Sequence, residues 1–326
     1  MTPWLAAAAV VALVALPAVL SSYLLTIFIF IFFYAYLGQA WNIVGGYAGQ
    51  LSAGHAAFLG VGAYTAAVLS EAAGVPMWAG MVAGGALAAV LGAVIGVLGF
   101  RFGLRGFYFV LLTVAFAEVC RIAVSNTEAL GGSVGYYIQF TGQLRKLQFP
   151  DNRGQYYVTL ALMLGATGLV ALLERGRVGV YLTAIREDEQ AAEALGVNAF
   201  RYKLLAMVLS SFLTGMGGGF YASYFSSLQP GSVFGVPLSV DIILRPIVGG
   251  AGTVLGPVLG SFILTPLAEL SRSYFGQSGW HGAHLVAYGL LLIAVVLFLP
   301  QGAYPALQRL VSRWKGPVST GARSRP

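Results

Sequence analysis

The sequence predicts an all-α polytopic membrane protein with about 8–10 transmembrane or re-entrant helices, each needing roughly 20 apolar residues to cross the hydrocarbon core. Three observations carry this. Residues 1–70, 204–240, 246–268 and 273–308 contain no Asp, Glu, Lys or Arg. Hydrophobic residues make up 58% of the chain, charged residues 9%, and the mean hydropathy is +0.81. Finally, 79–100 and 285–299 are apolar on every face, whereas barrel strands alternate apolar and polar residues. A soluble fold and an outer-membrane barrel are both excluded on these grounds, because only helices and closed barrels satisfy their backbone in lipid.

Taken in order, the apolar runs predict spans near 4–20, 24–43, 56–70, 77–99, 107–125, 156–173, 204–228, 254–271 and 284–299. No Lys or Arg precedes the first run, as a secretory signal would require, so it is read as a retained helix. A further segment, 238–250, covers only about 20 Å at helical rise and is predicted to be a broken or re-entrant helix. The single cysteine, Cys120, excludes an intramolecular disulfide and reads as a small buried hydrophobe.

Against this apolar background, residues 174–203 hold ten charged residues in thirty positions. Placing this loop in the cytosol also puts Arg101, Arg105, Arg309, Arg313, Lys315, Arg323 and Arg325 inside, as the excess of Lys and Arg on cytoplasmic segments requires. Both termini are then cytoplasmic, and residues 126–155 lie outside although they carry Arg145, Lys146 and Arg153. The net charge of +7 is explained by this topology, and no nucleic-acid partner is called for. The organisation is a single transmembrane domain over 1–308, with a basic cytosolic tail over 309–326.

Glycine clusters interrupt the apolar runs at two places, Gly45-Gly46-Tyr47-Ala48-Gly49-Gln50-Leu51-Ser52-Ala53-Gly54-His55 and Gly249-Gly250-Ala251-Gly252-Thr253-Val254-Leu255-Gly256-Pro257. Two readings stand side by side: an internal repeat whose discontinuous helices line a central path, or glycines that permit close helix packing. Packing accounts for Gly84, Gly92 and Gly96, and for the run Gly215-Met216-Gly217-Gly218-Gly219, which follows no strand and so is no nucleotide fingerprint.

Four linked motifs carry a family resemblance: Gly46 to Phe58; the Leu104-Arg105-Gly106 turn before a helix with Glu118 and Arg121; Ile185-Arg186-Glu187-Asp188-Glu189 continuing to Gly196; and Gly249-Gly250-Ala251-Gly252 before Gly256-Pro257-Val258-Leu259-Gly260. Their order and approximate spacing, from about residue 37 to Pro300-Gln301-Gly302, resemble the branched-chain amino acid ABC permease family, LivM type. The resemblance implies one membrane subunit of a bacterial inner-membrane importer. Its implied partners are a second permease subunit, as a heterodimer, two cytosolic ABC ATPases and a periplasmic solute-binding protein. ATP and Mg belong to the ATPases, and this chain is expected to bind no cofactor. Independently, no G-x-x-x-x-G-K-[ST] phosphate loop occurs anywhere in the chain.

Within the charged loop, Thr183 reads as an N-cap, with Glu187, Asp188 and Glu189 in an early helical turn and Gly196 as a C-terminal stop. Gln190-Ala191-Ala192 with Gly196 resembles the E-A-A-x-x-x-G signature of importer permeases, in which a short helix sits in a groove of the ATPase; Gln190 departs from the usual Glu. The candidate ATPase-coupling set is Thr183, Ile185, Arg186, Glu187, Asp188, Gln190, Ala191, Ala192, Glu193 and Gly196. Ala191, Ala192 and Ala194 with Ile185 and Leu195 form the expected docking face.

The candidate pathway set is Gly49, Gln50, Ser52, Gly54, His55, Asp241, Arg245, Gly249 and Gly250. Intramembrane charge costs at least about 2.5 kcal/mol on insertion scales, so the i, i+3 pair Glu118 and Arg121 and the i, i+4 pair Asp241 and Arg245 are expected to neutralise themselves. Arg245 departs from the family's apolar residue. It reads either as a pathway group favouring a carboxylated solute or as a structural partner of Asp241. Val134, in Gly131-Gly132-Ser133-Val134-Gly135, replaces the family's usual Asp or Asn in a loop expected to meet the binding protein. His55 reads as lining the path or as capping backbone groups. His281 and His284 lack neighbouring ligands, so no metal site is expected.

Three functional classes follow: an ABC permease subunit, a stand-alone secondary transporter or channel, and an intramembrane enzyme. The motifs favour the first, with branched-chain or other hydrophobic amino acids as solute and urea, amides or aromatic and organic acids as runners-up. No nucleophile or metal constellation supports an enzyme.

Overall fold

The computed structural model describes residues 3–275, four positions between 286 and 293, and 302–306. Among these the regular structure is helical apart from one two-residue antiparallel pair. Helix α1 (Pro3–Ala15) and a 3-10 turn (Leu16–Ala18) precede α2 (Ser22–Asn42), which continues through a π-helical turn (Ile43–Tyr47). There follow α3 (His55–Ala72), α4 (Met77–Arg101), α5 (Phe107–Ser125), strand β1 (Tyr136–Tyr137), α6 (Asn152–Arg175), α7 (Arg177–Glu187) and α8 (Glu189–Ala194). Then come α9 (Ala199–Phe225), β2 (Ser227–Leu228), α10 (Pro230–Val233), α11 (Val236–Gly249) and α12 (Gly256–Phe275). Among the described residues, six segments are long and apolar enough to cross a membrane: 22–47, 77–101, 107–125, 152–175, 199–225 and 230–249. The all-α polytopic membrane fold is therefore observed. The expected span 284–299, the residues His281 and His284 and the tail 309–326 fall outside the described residues, save for isolated positions.

Three boundaries differ from expectation, each for a physical reason. Helix α1 stops at Ala15 instead of near 20, because Pro17 lacks the N–H that would continue the ladder and sits in the 3-10 turn. Helix α9 begins at Ala199, not 204, because Asn198 Oδ1 accepts from Arg201 N at 2.9 Å. The charged Lys203 is tolerated inside it because Glu189 lies 2.5 Å away and the Phe100 ring 5.2 Å below. The segment expected to be broken within 238–250 is instead one continuous helix, α11, and the break lies upstream of it. Gly235 separates α10 from α11, and together they make a 20-residue span.

Two packing groups form the body. Helix α2 is central to the first, where Phe28 and Phe32 meet Tyr156 of α6 and Phe262 of α12 at ring separations of 5.2–6.3 Å. In the second, α3, α4 and α9 approach through glycines: Gly62, Gly84 and Gly215 leave no room for a Cβ between backbones. Tyr36 Oη joins the groups by donating to Leu213 O at 2.5 Å.

The bundle has two chemically distinct ends. At one, Arg105 meets Glu189 at 3.2 Å, and Tyr47 Oη donates to Glu174 at 3.2 Å. At the other, Lys146 meets Glu71 at 2.6 Å, Arg145 donates to Gly74 O at 3.0 Å, and Tyr136 pairs with Leu228.

Candidate functional site

Both glycine clusters lie at the α7–α8 end, and they touch. Asn42 Oδ1 accepts from Gly252 N at 2.8 Å while its Nδ2 donates to Thr253 O at 3.0 Å. One turn further up α2, Gln39 Nε2 donates to Val254 O at 2.6 Å. A Cβ on Gly46 would stand 2.5 Å from Gly252 N, so glycine is required for this approach. Gly250 has φ +119 and closes α11 by donating its N–H to Pro246 O, and Gly302 packs against Gly249 and Gly250.

From Gly49, at φ +66, the chain turns back into the bundle without helical structure until α3 starts at His55. His55 meets α9 at Ser210, seven residues and about 10 Å beyond Lys203, the last charged residue of that helix. The break is therefore well inside the membrane, where non-helical backbone must find protein partners. Four helices supply them. Trp41 Nε1 donates to Ser52 O at 2.8 Å, and Ala53 N donates to Thr113 Oγ1 of α5 at 3.1 Å. Ala56 N donates to Ser239 Oγ of α11 at 2.9 Å. The His55 ring lies between two hydroxyls, Ser52 Oγ at 3.0 Å from Nδ1 and Ser210 Oγ at 2.8 Å from Nε2. Each hydroxyl can donate or accept, so a neutral ring is satisfied in either tautomer. His55 and Ser52 are buried, whereas Gly49 and Leu51 are exposed and Gln50 is half-buried, its side chain folded back to Ala48 O at 3.2 Å. Gly54 abuts the Thr113 carbonyl with no space for a side chain.

Helix α11 carries the second part of the pathway set. The Arg245 side chain is 2% exposed and its guanidinium lies 3.7 Å from the centroid of the Tyr34 ring. It pairs with Asp241 Oδ1 at 3.1 Å and also donates to the Asp241 carbonyl oxygen. Asp241 is 36% exposed, so the carboxylate, not the cation, reaches the surface of α11. Of the two readings of Arg245, this geometry matches the structural partner. Arg245→Met is expected to leave discrimination between neutral and acidic solutes unchanged, while costing roughly 0.5–2 kcal/mol of stability through the lost cation–π contact with Tyr34. Uptake competition and thermal unfolding of the variant check both parts.

On α5, Glu118 and Arg121 form a bidentate pair at 2.9 and 2.5 Å. Glu118 is 52% exposed, on the same face as Tyr108, Leu111 and Ile122, and turned away from the rest of the bundle. Val134 is exposed in the loop before β1.

The charged loop differs from expectation in two respects. Thr183 is not a cap: its hydroxyl donates back to Gly179 O at 2.9 Å in the middle of α7, as a mid-helix threonine does. The cap is Asp188, in extended conformation, whose Oδ1 accepts from Ala191 N at 3.0 Å. Glu187 thus closes α7, and only Glu189 occupies the first turn of α8. Second, Ala192 and Ile185 do not belong to an outer face. They are buried with Ala199 in a small cluster beneath the loop. Gln190, Ala191, Glu193, Ala194 and Leu195 point outward, Leu195 at 86% exposure. Gly196, at φ +87, ends α8 as expected, with Val197 N donating to Ala192 O at 3.0 Å and Gly196 N to Glu193 O at 2.9 Å. Arg186 turns inward and donates to Gly46 O at 2.8 Å.

The residues that the sequence reading missed are those holding the broken backbone: Gln39, Trp41, Asn42, Thr113, Ser210 and Ser239. Their only signal is polarity, or an indole N–H, inside an apolar run.

Comparison with known proteins agrees with this architecture. The family model for the permease component of the branched-chain amino acid transport system matches residues 23–299. The permease protein LivM of the high-affinity branched-chain amino acid transport system of Escherichia coli is 29% identical, covering 83% of this chain and 68% of that protein. The corresponding protein of Salmonella typhimurium is 28% identical over the same shares. The LivH permease of the same Escherichia coli system is 22% identical over 60% of this chain and 58% of its own length. No solved structure gives a significant match. With a family match that takes in almost all of the membrane helices, the chain belongs to the branched-chain amino acid transport system permease family.

Proposed function

We propose that this chain is a permease subunit of an ABC importer in the bacterial inner membrane. With a second permease it forms the translocation path for branched-chain or other hydrophobic amino acids. The observation that carries the reading is the loop 174–203: a folded, outward-facing α8 backed by its own small core and bonded to the ends of the membrane helices. The chain itself has no phosphate-binding loop, so hydrolysis of ATP, with its Mg, falls to two ATPases docked on α8. On this reading the α7–α8 end and both termini are cytosolic, and the end with β1 and β2 faces a periplasmic solute-binding protein.

The outward face of α5 is assigned to the second permease. A charged pair exposed on a membrane helix is costly against lipid, and such residues normally face protein or a watery cavity. With Arg245 buried, the argument from this residue for an acidic solute loses its basis.

The test is reconstitution into vesicles of this chain with a second permease, two ATPases and a solute-binding protein of the same transport family. Leucine uptake is expected only with all components and ATP. Uptake by this chain alone, driven by an ion gradient, would replace the importer with a secondary transporter.

A further inference from the structure

We propose that Arg186 is a positioning strut that transmits movement of the α7–α8 loop to the non-helical segment 48–54, an inference that rests on the permease reading above. Its place in the fold sets it apart from the rest of the loop. Gln190 and Glu193 of α8 point outward and Glu189 holds Lys203 and Arg105, whereas Nη1 of Arg186, near the end of α7, reaches the junction of the two glycine turns. Nη1 donates to Gly46 O at 2.8 Å, while Nη2 and Nε hold Glu187 Oε1 at 2.8 and 3.3 Å, which fixes the plane of the guanidinium.

The glycines around it have the shape of a slot cut for this side chain. A Cβ on Gly49 would stand 2.7 Å from Arg186 Cγ, and one on Gly252 would overlap its Nη1. One arginine thus touches the turn that follows α2 and the turn that precedes α12, and Asn42 ties those turns to each other.

The chain of contacts then continues inward. Gly46 belongs to the π-helical turn that leads to Gly49, where Gln50 N donates to Val44 O at 2.9 Å, and five residues later His55 is locked between Ser52 and Ser210. Between Gln50 and Gly54 the backbone is held by single bonds to other helices, Trp41 to Ser52 O and Ala53 N to Thr113, in place of a continuous helical ladder. A push on α8 reaches Arg186 through Asp188, the residue shared by the end of α7 and the start of α8. The side chain is one-third exposed, with Nε and Nη2 on the exposed Glu187 and Nη1 on the buried Gly46 carbonyl, so it links the surface of the loop to the glycine junction.

The test uses the full complex with its ATPases in lipid nanodiscs, in a Cys120→Ser background. Spin labels are placed at Leu51→Cys or Val180→Cys, both exposed positions, the second on α7 away from the docking face. In the parent, ATP is expected to change the spectrum at both positions. Arg186→Met is expected to cut the ATP-dependent change at position 51 roughly tenfold, the scale of one lost charge-assisted hydrogen bond. The change at 180 should persist in that variant. Arg186→Lys, which retains a donor for Gly46 O, is expected to restore most of the response at 51. A response at 51 that survives in Arg186→Met, is absent in the parent, or is not improved by Lys overturns the strut. A label at 180 that ignores ATP in the parent overturns the ATPase-docking reading itself, and so separates the two failures.

Discussion

Gly218→Val is expected to prevent the chain from reaching its folded state. Gly218 lies on α9 where it crosses α3, and an added Cβ would overlap the Leu59 carbonyl and stand 2.5 Å from Ala63 N. Both neighbours are helical backbone, which cannot rotate away as a side chain can. Two effects oppose each other. Removing a glycine from a helix interior gains about 1 kcal/mol in propensity when alanine replaces it, and less for a β-branched residue. Overpacking a closed contact costs typically 1–3 kcal/mol and more when backbone must move. Here the clash wins, because Gly62 and Gly84 fit the same three-helix contact with equally little space and leave no direction for relief. Size-exclusion profiles in mild detergent should show the monodisperse peak lost for Gly218→Val. Gly168→Val on α6, where nothing lies within 4 Å, should keep it. Equal behaviour of the two variants would mean that the α3–α9 crossing is looser than described.

The same glycines show what was legible in the sequence and what was not. Long uncharged runs mark α2, α4 and α9 plainly, since a membrane span has few alternatives. Pro17 also announces the early end of α1. The two glycine turns are visible as similar strings, and the structure brings them into direct contact. Their partners are not visible: Thr113 and Ser239 are single hydroxyls in apolar helices, and nothing local says which distant N–H each will receive. Cap chemistry is ambiguous for a related reason. Thr183 and Asp188 are both capping residues, and the choice between them depends on whether the preceding turn is already helical, which Gly176 and the burial of Leu182 and Ile185 decide. The inward turn of Arg186 is a tertiary fact, because a charged residue in a charged loop reads by default as solvated. Arg245 shows the reverse: its i, i+4 spacing from Asp241 was readable, but its seat over Tyr34, one turn up a different helix from Gly38, was not.

Leu195→Glu is expected to weaken association with the ATPases by about 2 kcal/mol or more, the scale of an interface hot spot, which is roughly a 30-fold rise in dissociation constant. The argument turns on the direction of side chains around α8. Leu195 is a large apolar residue 86% exposed at the end of the helix, next to the exposed Ala191 and Ala194. Solvation alone gives no reason for it there, whereas a groove on a docked protein does. Ala192, which shares the family signature, is 3% exposed and packs under the helix with Ile185 and Ala199. A charge at Ala192 would therefore act by a different route. Ala192→Glu places a carboxylate in the small cluster and is expected to unfold the loop before any partner arrives, with the bundle intact. Hydrogen exchange separates the two variants: Leu195→Glu keeps the protection of α7 and α8 while losing affinity, and Ala192→Glu loses both. If Leu195→Glu binds the ATPases as tightly as the parent, the docking face is not the outer side of α8, and the exposed flank of α7 around Ala184 and Glu187 takes its place.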